Sequence, residues 1–146
     1  MGTPLLTVLV ATAEQEVFHG EAARVIAPSV DGELAILPGH TPLLAQLRPG
    51  ILRIYCLGNE EEPYECTDVV IVGGYLEAQP DAVTILADAI ERADEIDAAL
   101  AAKAVEQAKQ HISNSKGMNI DRAIMELELA IARLQVARKN QPHSLN

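Results

Sequence analysis

Asp31-Gly32-Glu33-Leu34-Ala35-Ile36-Leu37-Pro38-Gly39-His40-Thr41-Pro42-Leu43-Leu44 sets a short apolar run between two turn signals. Asp31-Gly32 and Pro38-Gly39 supply the backbone freedom and the preset φ that tight turns need, so residues 34–37 read as a strand. The same punctuation recurs on both sides of this stretch. Apolar runs at residues 7–11, 23–27, 51–57, 69–72 and 83–87 are separated by Pro49-Gly50, Gly58-Asn59, Gly73-Gly74 and Pro80-Asp81. Short β-rich runs with a turn every ~8–12 residues predict a sandwich or barrel. Val83, Ile85 and Ala87 alternate with Thr84, Leu86 and Asp88, which gives that strand one buried and one outward face.

From about residue 91 the texture changes. Proline is absent until Pro142, and Ala, Glu, Lys and Gln dominate, all good helix formers. Ile96, Leu100, Ala104, Ala108 and Ile112 form one stripe at four-residue spacing, with Asp94 or Asp97 placed to cap the helix start. Ser113-Asn114-Ser115-Lys116-Gly117 is a polar turn. Ile120, Ile124, Leu127, Ile131 and Leu134 make a second stripe, and Arg133, Arg138 and Lys139 suit the negative end of the helix dipole. Helices over about 91–112 and 119–139, joined by so short a turn, should fold back antiparallel. The reading is therefore a two-part α+β chain: a β domain over residues 1–88 and a helical hairpin over residues 89–146. Each stripe is narrow, so the hairpin alone buries little surface and must dock on the β domain or on a partner. A movable element is the physical consequence.

Composition excludes several function classes. The chain has 146 residues, 49% of them hydrophobic but only 3% aromatic, and a net charge of -10. Its core must be built from Val, Ile, Leu and Ala, with few rings for stacking bases or sugars. An acidic chain repels phosphate backbones, so nucleic acid is not an expected partner. The apolar segment at residues 5–11 is far shorter than the ~20 residues that span a bilayer and has no basic residue before it. We read it as a buried strand and the chain as cytoplasmic, reaching a membrane only through a partner.

Catalytic chemistry has weak support. Glu33 and His40 are an acid and a base in one stretch, but no nucleophile or phosphate-cradling glycine loop accompanies them. The plainer reading makes this stretch a turn and contact surface. Cys56 and Cys66 flank a hairpin tip containing Glu60-Glu61-Glu62. They could face each other across it, although two half-buried free thiols are the simpler expectation. No spacing of His19, His111 and His143 makes a metal set. A client-binding adaptor and a small enzyme using Glu33 and His40 are the rival classes.

One resemblance covers nearly the whole chain. Gly32-Glu33-Leu34-x-Ile36-x-Pro38-Gly39-His40-x-Pro42-Leu43-Leu44 resembles the signature of the ε subunit of bacterial F-type ATP synthases. Further segments agree in the same order: Ala13-Glu14-Gln15-x-x-Phe18-x-Gly20, Leu47-x-Pro49-Gly50-x-x-Arg53-Ile54, Gly73-Gly74-x-Leu76-Glu77, Val83 to Asp88, and Ala93-Asp94-x-Ile96-Asp97. The resemblance implies a ten-stranded flattened β-barrel or sandwich followed by an antiparallel two-helix hairpin. It implies a non-catalytic central-stalk subunit, on the cytoplasmic face of the bacterial inner membrane, that couples proton translocation to ATP synthesis. Its implied partners are the γ subunit, the c-ring and the α/β subunits of the catalytic head. Glu33 is implied as a c-ring contact, and His40 with Pro42 as contacts of γ or c. The hairpin is implied to inhibit ATP hydrolysis by leaving the β domain and entering the head. Some ε subunits bind ATP through a helical motif, of which Arg122 and Arg133 match here. Asn119 stands in place of its acid and Leu129 in place of a second arginine. Losing two polar ligands, at roughly 1–3 kcal/mol each, predicts weak or absent ATP binding and no required cofactor.

Overall fold

Ten strands and two long helices make up the described residues, 3–115 and 117–139, of the computed structural model. The strands are β1 (Leu6–Ala11), β2 (Glu16–Ala22), β3 (Arg24–Ser29), β4 (Gly32–Ile36), β5 (Leu43–Leu47), β6 (Gly50–Leu57), β7 (Tyr64–Ile71), β8 (Gly74–Gln79), β9 (Ala82–Ala87) and β10 (Ile90–Arg92). The helices are α1 (Ala98–Asn114) and α2 (Met118–Lys139). The strands join in the order β10-β7-β6-β3-β5-β8-β9-β1-β2, with β4 added on β3. Every pairing is antiparallel except β1 with β9.

Period-2 alternation closes this sheet around one aliphatic interior. Leu6, Val8 and Val10 of β1, Val25 and Ala27 of β3, Leu52 and Ile54 of β6, Leu76 of β8, and Val83 and Ile85 of β9 are all fully buried in the same cluster. The expected alternation of β9 holds, since Thr84 and Leu86 point outward. β7 departs from alternation: Val69, Val70 and Ile71 are all buried. Val69 and Ile71 belong to the interior cluster, whereas Val70 faces out and is covered by Ala132 and Val136 of α2. A continuous apolar run thus marks a strand buried on both faces.

The sheet reaches further along the chain than residue 88. Ile90, Glu91 and Arg92 pair with Ile71, Val70 and Val69, and a 3-10 turn at Ala93–Glu95 follows. α1 therefore starts at Ala98, not near residue 91. The apolar Ile90 packs against the β core and the preceding Gly73-Gly74 turn brings this segment alongside β7, which overrides helix propensity. Asp97 is the cap, its Oδ1 accepting the amides of Ala99 at 2.8 Å and Leu100 at 3.2 Å. α1 runs on to Asn114, so only the last part of the expected polar turn is non-helical, and Gly117 there has φ +65°. Lys116 and residues 140–146 of the expected hairpin domain, His143 among them, lie outside the described residues.

The helices lie alongside each other as expected, but their buried faces follow the expected stripes only in part, for example at Ala108 and, half-buried, at Leu127 and Leu134. In α1, Ala101, Val105 and Ala108 are buried while Leu100 is 64% exposed. In α2, Ala123, Ala130, Ala132, Val136 and Ala137 are buried, whereas Ile120, Ile124 and Ile131 are exposed. Small side chains take the interior because they let the helix axis approach its neighbours, and the large residues flank the contact. α2 has two buried rows. Leu129, Ala132 and Val136 pack on the β domain with Val70, Ile51, Ala93 and Ile96. Ala123, Ala130 and Ala137, spaced by seven, form the row left for α1.

Candidate functional site

The ion pairs between hairpin and β domain are the most developed polar constellation. Arg133 of α2 grips Glu91 of β10 in a two-pronged pair, with Nε and Nη2 donating at 2.6 and 2.7 Å. Arg48, between β5 and β6, grips Glu128 of α2 in the same way, at 2.9 and 2.5 Å. Lys139, at the end of α2, donates to Asp68 of β7 at 2.8 Å. The fork geometry of arginine makes the first two pairs directional as well as attractive. The other oxygen of Asp68 accepts the Cys66 thiol at 3.0 Å. Burial and this hydrogen bond to the carboxylate push the Cys66 thiol up to about 11. The hydrogen bond to Asp68 raises the Lys139 ammonium as well.

Cys56 and Cys66 are both free and half-buried. They do not face each other across the hairpin. Cys66 lies opposite Tyr55, and Cys56 opposite Glu65. This offset of one residue puts the two thiols on opposite faces of the ribbon. The Glu60-Glu61-Glu62 tip is exposed, and the Asn59 side chain closes it by accepting the amides of Glu61 and Glu62.

The residues singled out in the opening stretch are separated by the fold. Glu33 is exposed near the start of β4, opposite Pro28 and next to the turn at Val30-Asp31. That end of the sheet also holds Leu47, which pairs with Gly74. β4 then runs the length of the barrel. His40 emerges at the far end, where the neighbouring Gly39 amide donates to Pro80 O at 2.6 Å. The His40 ring contacts Thr41 O at 2.7 Å, and Pro42 is exposed beside it. An acid–base pair needs its members within hydrogen-bond reach. Glu33 and His40, at opposite ends of an extended strand, do not form one.

Sequence reasoning missed an outward apolar face. Leu44 of β5, Tyr75 of β8 and Leu86 of β9 are 70%, 54% and 55% exposed. Tyr75 lies directly opposite Leu86, and Leu44 lies opposite Glu77, one step diagonal from Tyr75. In strand order β5, β8 and β9 lie beyond β3 from β6 and β7, the strands the hairpin covers. One wall of the barrel is thus occupied by the chain's own helices, while another presents an apolar face that is exposed among the described residues. The signal was available in the outward phase of Leu86.

Arg122 and Arg133 do not stand ready as a pair. Arg122 is exposed near the start of α2, while Arg133 is held by Glu91. Eleven residues separate them, or about 16 Å along the helix axis. Sequence reasoning did not identify Arg48, Asp68, Glu91 or Glu128, because each pairs with a residue far away in the chain.

A β-sandwich carrying a docked helical pair is the class that this geometry defines. Two consecutive family models match it: "ATP synthase, Delta/Epsilon chain, beta-sandwich domain" over residues 5–93, and "ATP synthase, Delta/Epsilon chain, long alpha-helix domain" over residues 94–138. The ATP synthase epsilon chain of Janthinobacterium sp. (strain Marseille) is 45% identical over 128 residues, covering 88% of each chain. That of Herminiimonas arsenicoxydans is 45% identical over 132 residues, covering 90% of this chain and 91% of its own. In a solved Euglena gracilis mitochondrial ATP synthase assembly (OSCP/F1/c-ring), one chain shares the fold with a TM-score of 0.74 at 23% identity, covering 92% of this chain and 81% of that one. This chain belongs to the ATP synthase epsilon chain family. It is accordingly a subunit of ATP synthase and not itself catalytic. No helix among the described residues is long and apolar enough to cross a membrane.

Proposed function

We propose that the chain works as a central-stalk rotor subunit, passing rotation driven by proton translocation to the catalytic head. Its partners in this reading are γ, the c-ring and the α/β subunits, and its place is the cytoplasmic face of the bacterial inner membrane. The observation that carries the reading is the separation of contact residues along β4. Glu33 is offered at one end of the barrel to the c-ring. His40 and Pro42 are offered at the other end, beside the exposed Leu44, to γ. A rotor element that touches two partners at once needs contact residues on two ends of a rigid body, and a closed β-barrel is such a body. The structural relatives include a Tetrahymena thermophila mitochondrial assembly described as central stalk and c-ring, with a TM-score of 0.55 at 15% identity.

The hairpin is the regulatory part of this function: docked it is neutral, and released it restrains ATP hydrolysis in the head. Among the described residues it is joined to the β domain by one apolar seam and three ion pairs, a contact small enough to open. Arg133 is held by Glu91, so in the docked hairpin its guanidinium is engaged within the chain itself. Affinity purification of the tagged chain from its own cells should bring down γ and c. Glu33→Arg should lose the c-ring selectively, and His40→Ala with Pro42→Ala should weaken γ. Recovery of neither partner with the unsubstituted chain refutes the rotor assignment.

A further inference from the structure

We infer that the docked hairpin is held by an ionic-strength-sensitive latch, so that salt releases the helices as a unit while leaving the β-barrel folded. The inference concerns docking alone and requires no inhibitory role for the released helices.

Three observations converge on it. First, the two parts of the chain carry opposite net charge. Residues 1–97 hold 17 acidic and 4 basic side chains, and residues 98–146 hold 4 acidic and 7 basic, so the parts carry -13 and +3. Such a pair attracts over distances that salt controls: the Debye length falls from about 30 Å at 0.01 M to about 3 Å at 1 M. Second, all three ion pairs lie within the last three turns of α2 and straddle its apolar seam. At ~100° per residue, Leu129, Ala132 and Val136 occupy one strip of the helix surface. Glu128 and Lys139 lie along one edge of that strip and Arg133 along the other. Their partners Arg48, Asp68 and Glu91 come from three separate places in the β domain, so the latch fixes the helix in rotation as well as in position. Third, the apolar contribution between the rails is small. On the α2 side it is one leucine, one alanine and one valine. α1 makes its principal packing contact with α2, so it follows α2 when the latch opens.

Charge and apolar burial respond oppositely to salt, which makes the inference testable on the full chain. NaCl screens partly exposed ion pairs but does not weaken the burial of apolar surface. Hydrogen exchange read by mass spectrometry at 20 mM and at 1 M NaCl is the measurement, with peptides from β8 and β9 as the internal control. The peptide over residues 128–139 should exchange at least tenfold faster at 1 M NaCl, with β8 and β9 unchanged. At low salt Glu91→Arg should accelerate exchange of that peptide about fivefold, the upper range for one partly exposed pair. Glu91→Arg combined with Arg133→Glu should restore protection. Glu128→Gln tests the other rail independently and should act in the same direction. Equal exchange of α2 at both salt concentrations overturns the latch. So does a double charge reversal that exchanges as fast as Glu91→Arg alone.

Discussion

A chain cut after Asp88 and a chain cut after Ala93 should differ sharply in stability, although only five residues separate them. Both lose the Ala132 and Val136 side chains that cover Val70. The longer chain alone keeps β10. That strand contributes a three-residue ladder with β7, and the segment before it supplies the bond from the Val72 amide to Ala89 O at 3.0 Å. At about 1 kcal/mol net per backbone bond, these are worth about 2–3 kcal/mol. Ile90, half-buried against the barrel core, adds about 1 kcal/mol. Arg92 Nη2 also donates to Val17 O at 3.0 Å, tying β10 to the β2 edge of the barrel. The sum is about 4 kcal/mol out of the 5–15 kcal/mol that holds a typical domain. Urea unfolding followed by circular dichroism reads it directly. The chain ending at Ala93 should unfold cooperatively. The chain ending at Asp88 should have a much lower midpoint and a melting temperature lower by roughly 15–30 °C. Coincident midpoints would refute the claim that the β domain extends through residue 92. In the assembled enzyme, ending the subunit at Ala93 should raise ATP hydrolysis while γ binding is kept, and unchanged hydrolysis would count against a restraining hairpin.

Two glycines separate backbone strain from space. Gly74 has φ +130°, and a Cβ there would lie 2.2 Å from Leu86 O, so Gly74→Ala should cost about 3 kcal/mol or more. Gly39 also has positive φ but open space around its Cβ position, so Gly39→Ala should cost only about 1–2 kcal/mol by thermal unfolding. Cys66 is held protonated by burial and by the Asp68 carboxylate, with its pKa pushed up to about 11. In a Cys56→Ser background at pH 8 it should therefore react with N-ethylmaleimide roughly a hundredfold more slowly than an ordinary thiol. Its rate should rise about tenfold per pH unit towards pH 10. Alkylation at the speed of free cysteine would contradict the Asp68 contact.

Local features of the chain predicted most of the fold. Turn pairs such as Asp31-Gly32 and Pro80-Asp81 act over a few residues, and they delimit β4 and the β8–β9 turn as expected. Alternation in residues 83–87 set the inward and outward faces of β9. The cap at Asp97 is equally local, since its acceptor lies two and three residues from the amides it meets. The family signature around Gly32 to Leu44 belongs to the same class of evidence, an ordered string readable without coordinates.

Other features depend on distance in space, and the chain alone left them open. Helix periodicity says that an apolar stripe exists, but not which side meets a neighbour when alanines permit a closer approach. Hence Ile120, Ile124 and Ile131 are exposed and the alanine rows are inside. β10 was hidden because three residues carry too little propensity to declare themselves, and pairing with β7 decides their state. The separation of Glu33 from His40 follows from where β4 begins and ends in the barrel. The rails at Arg48, Asp68 and Glu91 join residues 42 to 80 positions apart, a spacing with no local signature. By itself, then, the sequence determined the two-part architecture, the approximate places of six of the ten strands and of both helices, and the family. The tertiary structure alone decided how the two parts are joined, because ion pairs and apolar seams form between surfaces that only a completed fold brings together.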